Sequence, residues 1–537
     1  MAIGIYALTE IRSLGNDYNS GVFDPGATLA TNLTSANGTS IYPTVSTLSY
    51  TFSASDVDHY LYIRQGTNWY PGWYRILSAT GNSAVLHAVK GEVVNTMENQ
   101  SHWNGVGTTS SLSSGTWSID YTQSSTYRHA FTDLQLNGTD IVSSAGNAFT
   151  TAMVGNTLRI ISGTGFTPAL YVISSISSVG NTAKLDRNAG TQGSTGGTGV
   201  IGGAITTIKQ GFDDLRIGLS GNNCMYVKND GDYTVSGIST ITNTRNEVPY
   251  IRGYGTYRFD NQRAKFVIGA NSTAIKRAFF FKIYNLEFDG QNNSNTLGYD
   301  STSALVISYN CIFKDLTGNI GSGYSIKNLY KNVKFFGASV FHNTTISGCA
   351  ATGSALLTDV FLQDCLIAGN SATSVVYHNF IYVEPTQISN CVFYNNTCTN
   401  LIYSNINSVY KVLYVYNNIF AGNSGTVYNY TGFSNYALDI KSNAYYNNGS
   451  INTEPPNLHT SPKFIIENEV VLTADPFVNA AGNNFTLNST IGGGASCRYA
   501  GAGITYTGIN TENYRSIGIT QFRNNPSIPG AILGMGG

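Results

Sequence analysis

Carboxylates are the side chains here that could cleave a glycosidic bond, either as an acid and base pair or by holding Ca²⁺ beside a basic residue. Between residues 280 and 460 they are Glu287, Asp289, Asp300, Asp315, Asp359, Asp364, Glu384, Asp439 and Glu454, and residues 385–438 hold none. Asp289 and Asp315 fall near one edge of neighbouring units of a short repeat, offset by one place. Asp359 with Asp364, and Asp364 with Glu384, match no better, and aspartate in a turn ordinarily serves the turn. The seven histidines, His59, His87, His102, His129, His342, His378 and His459, lie at no metal-ligand spacing from one another. His342 and His378 read as turn or surface residues. Cys311, Cys365 and Cys391 share one place in the repeat with no recurring histidine or second cysteine nearby, so they read as small buried hydrophobes. The run GSTGGTGVIGGA at 193–204 lacks the Lys-Ser/Thr of a phosphate loop and reads as a flexible hinge. No catalytic, cofactor-binding or metal-ligating residue is assigned, and no cofactor is expected.

Tyrosine offers a second kind of chemistry. NLIYSNINSVYKVLYVYNN at 400–418 and TVYNYTGFSNYALDIKSNAYYNN at 426–448 set many tyrosines among Asn and Ser. Such stretches build uncharged, hydrogen-bonding surfaces of the kind that bind sugars or proteins, or they stack inside a repetitive fold.

The elements that must position these groups are strands. Charged residues are 11% of the 537, well below the roughly 25% of an ordinary domain. Asn, Ser, Thr, Gly and Tyr take their place, and no stretch shows apolar spacing of three and four. The expected class is all-β. A net charge of −1 with scattered Lys and Arg argues against nucleic-acid binding. No run of 18 apolar residues is present to span a membrane, and MAIGIYALTEIRSLGND has no secretory-signal pattern. Seven cysteines (224, 311, 349, 365, 391, 398 and 497) without a CxxC pair argue against disulfide staples.

Two repeats organise the chain. Residues 52–86 and 149–185 match at an offset of 97, with Phe52 on Phe149, Leu61 on Leu158, Ile63 on Ile160, Tyr74 on Tyr171 and Ile76 on Ile173. Their alternating apolar residues and Gly/Pro punctuation read as short antiparallel strands. From residue 280 a shorter motif takes over: NLEF at 285, NCIF at 310, NVKF at 332, NTTI at 343, DCLI at 364, NCVF at 390, NNIF at 417 and SNAYY at 442. Steps of 20 to 27 residues, one strand motif each, mark a solenoid. The step of 11 between 332 and 343 does not fit, so one of those two is a chance match. Phe288, Phe313, Ile367, Phe393 and Phe420 would point inward. The Asn or Asp three places earlier would turn a coil corner in left-handed backbone.

The coil pattern resembles the right-handed parallel β-helix of the pectate-lyase-like superfamily. Residues 225–260 resemble its opening coils and 475–503 its closing coil, while YRSIGITQ at 514–521 resembles the usual end, with Ser516-Ile517-Gly518 in place of Asp-Ile-Gly. The resemblance covers about residues 204–520. ALTEIRSLGNDYNSGVFDPGAT, GTWSIDYTQSS at 115–125 and LDRNAGTQGSTGGTGVIGGA at 185–204 resemble virion proteins of tailed phages. These resemblances imply a docking arm at 1–43, a β module at 44–140, its repeat at 141–203 ending in the hinge, a right-handed parallel β-helix at 204–525 and a tail at 526–537. They imply a virion protein released by lysis, which needs no signal. The expected function is that of a non-enzymatic structural protein on the particle exterior, capsid decoration or cement first, or another particle-surface appendage. The alternative is a tail spike or fibre that binds or cleaves host polysaccharide. Expected partners are capsid or tail proteins and two further copies in a homotrimer, with a host glycan as a further ligand.

Overall fold

The computed structural model describes residues 8–13, 30–70, 72–88, 104–120, 129–149, 153, 157–177, 182–207, 224–241, 250–255, 260–277, 281–293, 297–300, 306–317, 319–320, 323–335, 340–378, 386–405, 411–431, 436–451, 464–498, 500–501 and 517–518. The duplicated sequence folds into two closed antiparallel barrels of six strands each. The first is built from Ala30–Ser35, Thr44–Ser46, Tyr60–Gln65, Gly72–Thr80, Ser83–His87 and Leu112–Asp120. The second uses His129–Leu136, Ile141–Ser143, Thr157–Ser162, Ala169–Ser177, Thr182–Leu185 and Gly197–Ile201. In both, the strands pair around the barrel in the order first, second, fifth, fourth, third, sixth, then back to first. The matched residues are the cores: Leu61, Ile63, Tyr74 and Ile76 in one copy, and Leu158, Ile160, Tyr171 and Ile173 in the other, are all buried. Each core tyrosine donates its phenol to a backbone carbonyl four residues earlier, Tyr74 to Tyr70 at 2.8 Å and Tyr171 to Thr167 at 2.7 Å.

Two expectations are corrected here. The glycine-rich stretch is no hinge, because Gly197–Ile201 is the strand that closes the second barrel. A Cβ at Gly197 would lie 2.6 Å from the Phe166 ring, so glycine is there to let the strand pass the ring. Gly115 does the same in the first barrel, where a Cβ would lie 2.7 Å from Trp69. The barrels also start earlier than the repeat at 52 and 149 suggests. Ala30–Ser35, expected in the arm, opens the first, and His129–Leu136, expected in the first module, opens the second.

The chain divides into two units, one holding residues 1–235, 239–266 and 280–286, the other 236–238, 267–279 and 287–537. In the first unit, Leu8–Ile11 pairs in parallel with Cys224–Lys228, which pairs with Tyr250–Tyr254 and that with Phe281–Tyr284. Both barrels are thus inserted between the first and second strands of a parallel sheet. The chain leaves and returns at one point: Arg12 N–H donates to the Ile205 carbonyl and Ile205 N–H to that of Glu10, both at 3.0 Å. Beneath this crossing Arg12 Nε lies 3.2 Å from Glu10 Oε1, Arg12 Nη2 lies 2.8 Å from the Tyr254 hydroxyl, and that hydroxyl donates to Glu10. Removing either partner would leave the other charge buried without its counterion, which is strongly destabilising. Leu8–Ile11, expected to serve an arm, is therefore a sheet strand.

The second unit is a parallel β-helix, as the coil pattern indicates. Its first sheet runs through Val306–Tyr309, Gly323–Ile326, Val340–His342, Phe361–Gln363, Thr386–Ser389, Lys411–Tyr416, Tyr436–Lys441 and Phe464–Glu467, with parallel pairing throughout. A second sheet carries Ile312–Lys314, Leu329–Lys331, Thr345–Ser347, Leu366–Ala368, Val392–Tyr394, Ile419–Ala421 and Ala444–Tyr446. A third has Ala350–Thr358, Ser371–His378, Thr397–Asn405 and Thr426–Thr431. Asn310, Asn343, Asp364, Asn390 and Asn417 turn the first corner with φ between 50° and 58°. Inside, Phe288 stacks on Phe313 at 5.1 Å and Phe393 on Phe420 at 5.0 Å. The irregular step is resolved: the missing corner is Lys327, at φ 54°, followed by Asn328-Leu329-Tyr330, and NVKF at 332 falls on the second corner of the same coil. NVKF was the chance match.

Where the residue after a corner is asparagine in successive coils, the side-chain amides form a ladder. At the second corner Asn370 donates to Asn396 Oδ1, Asn396 to Asn423 Oδ1 and Asn423 to Asn448 Oδ1, each from both backbone N–H and Nδ2, at 2.8–3.2 Å. Every Nδ2 also donates to a main-chain carbonyl of the preceding coil. At the first corner Cys391 N–H donates to Asn418, Asn418 to Asn443, and Asn443 to Glu469, where the carboxylate ends the ladder.

The stretch expected as a closing coil does something else. Phe477–Asn479 and Asn484–Leu487 form an antiparallel hairpin, followed by a short helix at Gly494–Cys497. With Ile517 they cover the outer face of the second sheet at Val392, Ile419 and Ala444. Among the described residues no helix is long and apolar enough to cross a membrane.

Candidate functional site

Alternation along each strand of the first sheet sends Phe341, Leu362, Ile388, Val415 and Ile440 into the core and the residues between them outward. Parallel registration lines the outward residues up in rows. The position just before the first corner gives Tyr309, Ile326, His342 and Gln363, continuing through Ser389, Tyr416, Lys441 and Glu467. Two residues earlier in each strand lie Ile307, Tyr324, Val340 and Phe361, and further along Gln387, Tyr414 and Asp439.

Aromatic and amide groups dominate this face. Tyr324 is 40% exposed. The His342 ring lies 5.3 Å from Phe361, tilted by 47°. Burial holds the His342 imidazole below the ordinary histidine value, although its hydrogen bond with Gln363 works the other way. Gln387 Nε2 donates to Ser389 Oγ at 2.8 Å, and the Lys327 ammonium sits 5.2 Å over the Tyr309 ring. Charges gather at the other end of the rows. There Lys441 Nζ lies 3.3 Å from Asp439 Oδ1 and 3.6 Å from Glu467 Oε2, while the Tyr416 hydroxyl donates to Asp439 Oδ2. Burial, then the bond to Asp439, pushes the Tyr416 phenol up. Asp439 thus faces Tyr416 and Lys441.

The carboxylates weighed as a pair are not brought together. Asp289 stands in register with Lys314, one place before Asp315. Lys314 Nζ lies 2.9 Å from Glu287 Oε1 and 3.1 Å from Asp289 Oδ2, so the partner of Asp289 is Glu287, through a lysine that the carboxylate search did not include. Burial opposes the charge on Lys314, but hydrogen bonds to the two carboxylates outweigh it and raise its pKa. Asp315 turns a corner at φ 54° and accepts from Asn332 Nδ2 at 2.9 Å. Asp364 likewise turns a corner and accepts from Asn390 Nδ2 at 3.1 Å, and Asp359 sits at φ 50°. Glu384, Glu454, His102, His459 and the side chains of Asp300 and His129 lie outside the described residues.

His342 and His378 are neither turn residues nor alike. His378 is fully buried inside the coils, where desolvation pushes its pKa down to about 3, and His342 is on the first-sheet face. Cys311, Cys365 and Cys391 are fully buried thiols outside any disulfide, as small core residues. The tyrosines divide: Tyr428, Tyr430 and Tyr445 are interior, whereas Tyr403, Tyr414 and Tyr416 are half-buried on outer faces. Among the described residues no three His, Cys, Asp or Glu side chains could hold a metal ion together. Tyr324, Phe361, Gln363 and Gln387 escape a search for reactive groups. Their signal was their fixed offset, one or three places before each corner.

No family model and no curated protein matches the chain. Among solved structures, the pectin methylesterase from Aspergillus niger is 16% identical, over 48% of this chain and 88% of that one, with a TM-score of 0.24. The catalytic domain of a GH87 alpha-1,3-glucanase in complex with nigerose is 10% identical over 82% and 89%, with a TM-score of 0.25. The tailspike protein gp49 from Pseudomonas phage LKA1 is 13% identical over 69% and 66%, with a TM-score of 0.13. The strand registers, not these low-scoring likenesses, carry the fold.

Proposed function

We propose that this chain is a tail-spike-like β-helix, displayed on a tailed-phage particle, that binds host polysaccharide along the outer face of its first sheet without cleaving it. One observation carries the reading: that face sets aromatic, amide and hydroxyl side chains in registered rows at the strand spacing of about 4.8 Å, with Tyr324 40% exposed and only the Gln387 and Ser389 coil covered among the uncharged positions. A repeating surface of amphipathic groups suits a repeating, hydroxyl-rich ligand. Cleavage is not part of the reading, because Asp439 is engaged by Tyr416 and Lys441, and Glu287 and Asp289 by Lys314. In this reading the two barrels attach the protein to its particle, and three copies associate. Capsid decoration, the leading expectation from sequence, draws no support from either unit and is not carried forward.

The test is to screen the purified chain against immobilised host surface polysaccharides, then assay every bound glycan for release of new reducing ends. Retention without release supports the reading. Retention with release makes the chain an enzyme, and no retention removes the glycan from its function.

A further inference from the structure

Resting on the glycan-binding reading, we infer that the ligand is an uncharged polysaccharide, and that its main contacts are Tyr324, His342, Phe361 and Gln363. The first support is charge. From Tyr309 to Ser389 in one outward row, and from Ile307 to Tyr414 in the other, there is no Asp, Glu, Lys or Arg. Of the ions beside these positions, Lys441 is paired with Asp439 and Glu467, the Lys327 ammonium sits 5.2 Å over the Tyr309 ring, and Asp364, the corner residue after Gln363, is a carboxylate. A polyanion laid over Phe361 and Gln363 would be desolvated beside the Asp364 carboxylate, with no cation in either stretch to receive it.

The second support is the donor and acceptor inventory. A neutral imidazole offers one donor and one acceptor, and an amide offers both kinds. Hydroxyl groups also donate and accept, so the donors and acceptors of His342 and Gln363 that are not spent on the bond between them suit adjacent hydroxyls on a sugar. Burial favours the neutral form of His342 at pH 7. The third support is apolar surface. Tyr324 and Phe361 lie in the same row on either side of Val340, two strand spacings or roughly 10 Å apart. They frame the His342 side of the face with rings against which the C–H faces of sugars pack.

The experiment uses the full chain and two groups of immobilised probes: dextran, galactomannan and xyloglucan as neutral chains, and hyaluronate, alginate and polysialate as anionic ones. Retention is read at low and high salt. The expected result is retention on a neutral chain, unchanged by salt, with affinity falling roughly tenfold or more in Gln363→Ala and in Phe361→Ala. His342→Asp should abolish retention while His342→Gln keeps most of it. Affinity should hold as pH falls from 8 to 6.5, the ordinary histidine value. Gln363→Ala, on the surface, guards against a folding defect in Phe361→Ala, and unfolding temperatures of all variants are read alongside. Salt-sensitive retention on the anionic chains alone would overturn the inference and leave glycan binding standing. Retention on a neutral chain that none of these variants weakens would overturn the assigned contacts. Retention on none of these probes and on no host surface polysaccharide would overturn both.

Discussion

The side chain of a single asparagine in the coil interior makes four hydrogen bonds. Asn396 accepts from both donors of Asn370 and gives its own two to Ile367 and Asn423. Removing the amide leaves several buried groups without partners, each costing about 1–3 kcal/mol. Asn396→Ala should therefore destabilise the coils by about 3 kcal/mol, read as a shift in the denaturation midpoint. Asn396→Asp, which removes a donor and adds a buried charge, should cost more. Glu469 gives the second test at this scale. Burial raises its pKa above the ordinary 4.5, while bonds from Tyr445 and Asn443 only partly offset this. The folded state thus binds the proton more tightly than the unfolded chain. The contribution is fully present below about pH 4.5 and is lost as pH rises through the higher, folded value. Melting temperature should fall over that window in the wild-type chain, and the fall should be smaller in Glu469→Gln. The corner asparagines were legible in sequence. The ladder residue beside them was not, because Cys, Asn, Thr and Glu share its place and no single type recurs.

Among the elements, the barrels show what a duplication reveals and hides. The shared apolar residues gave both cores, since burial holds them in place. The opening strands were missed although both copies follow them with Asn-Gly-Thr, at 37–39 and 137–139, because the offset there is 100 and not 97. The supposed hinge was read from composition, yet its glycines answer to a ring in another strand, and only the fold brings that ring near. Gly115→Ala and Gly197→Ala test this jointly. Each sets a methyl against a core ring at under 3 Å. Each should destabilise its own barrel by about 1–3 kcal/mol, seen as loss of near-ultraviolet circular dichroism from Trp69 and Trp117 in the first case only. The ion pair of Glu287 and Asp289 with Lys314 was hidden for a related reason: alignment of acids alone does not show that registration puts a lysine opposite Asp289.

At the scale of the whole molecule, the reading of an all-β chain ending in a parallel solenoid came through because inward residues recur at each coil. What sequence could not show was how distant segments return. Ile517 reaches back to Cys497 and Gly518 to Asn417, fixing the C-terminal hairpin over Val392, Ile419 and Ala444. Ile517→Asp should release that cover, expose the apolar sheet face, and be seen as raised binding of a hydrophobic dye and faster proteolysis between residues 475 and 518.

The strand at Leu8–Ile11 has its own consequence for the order of synthesis. Its partner, Cys224–Lys228, leaves the ribosome more than 200 residues later, and Tyr254, which closes over Glu10, is 244 residues away. At roughly 5–20 residues per second this strand waits on the order of tens of seconds for its neighbour, while both barrels can already form. The first strand is then fixed only after both barrels can form, and until Cys224–Lys228 emerges it has no partner strand to join.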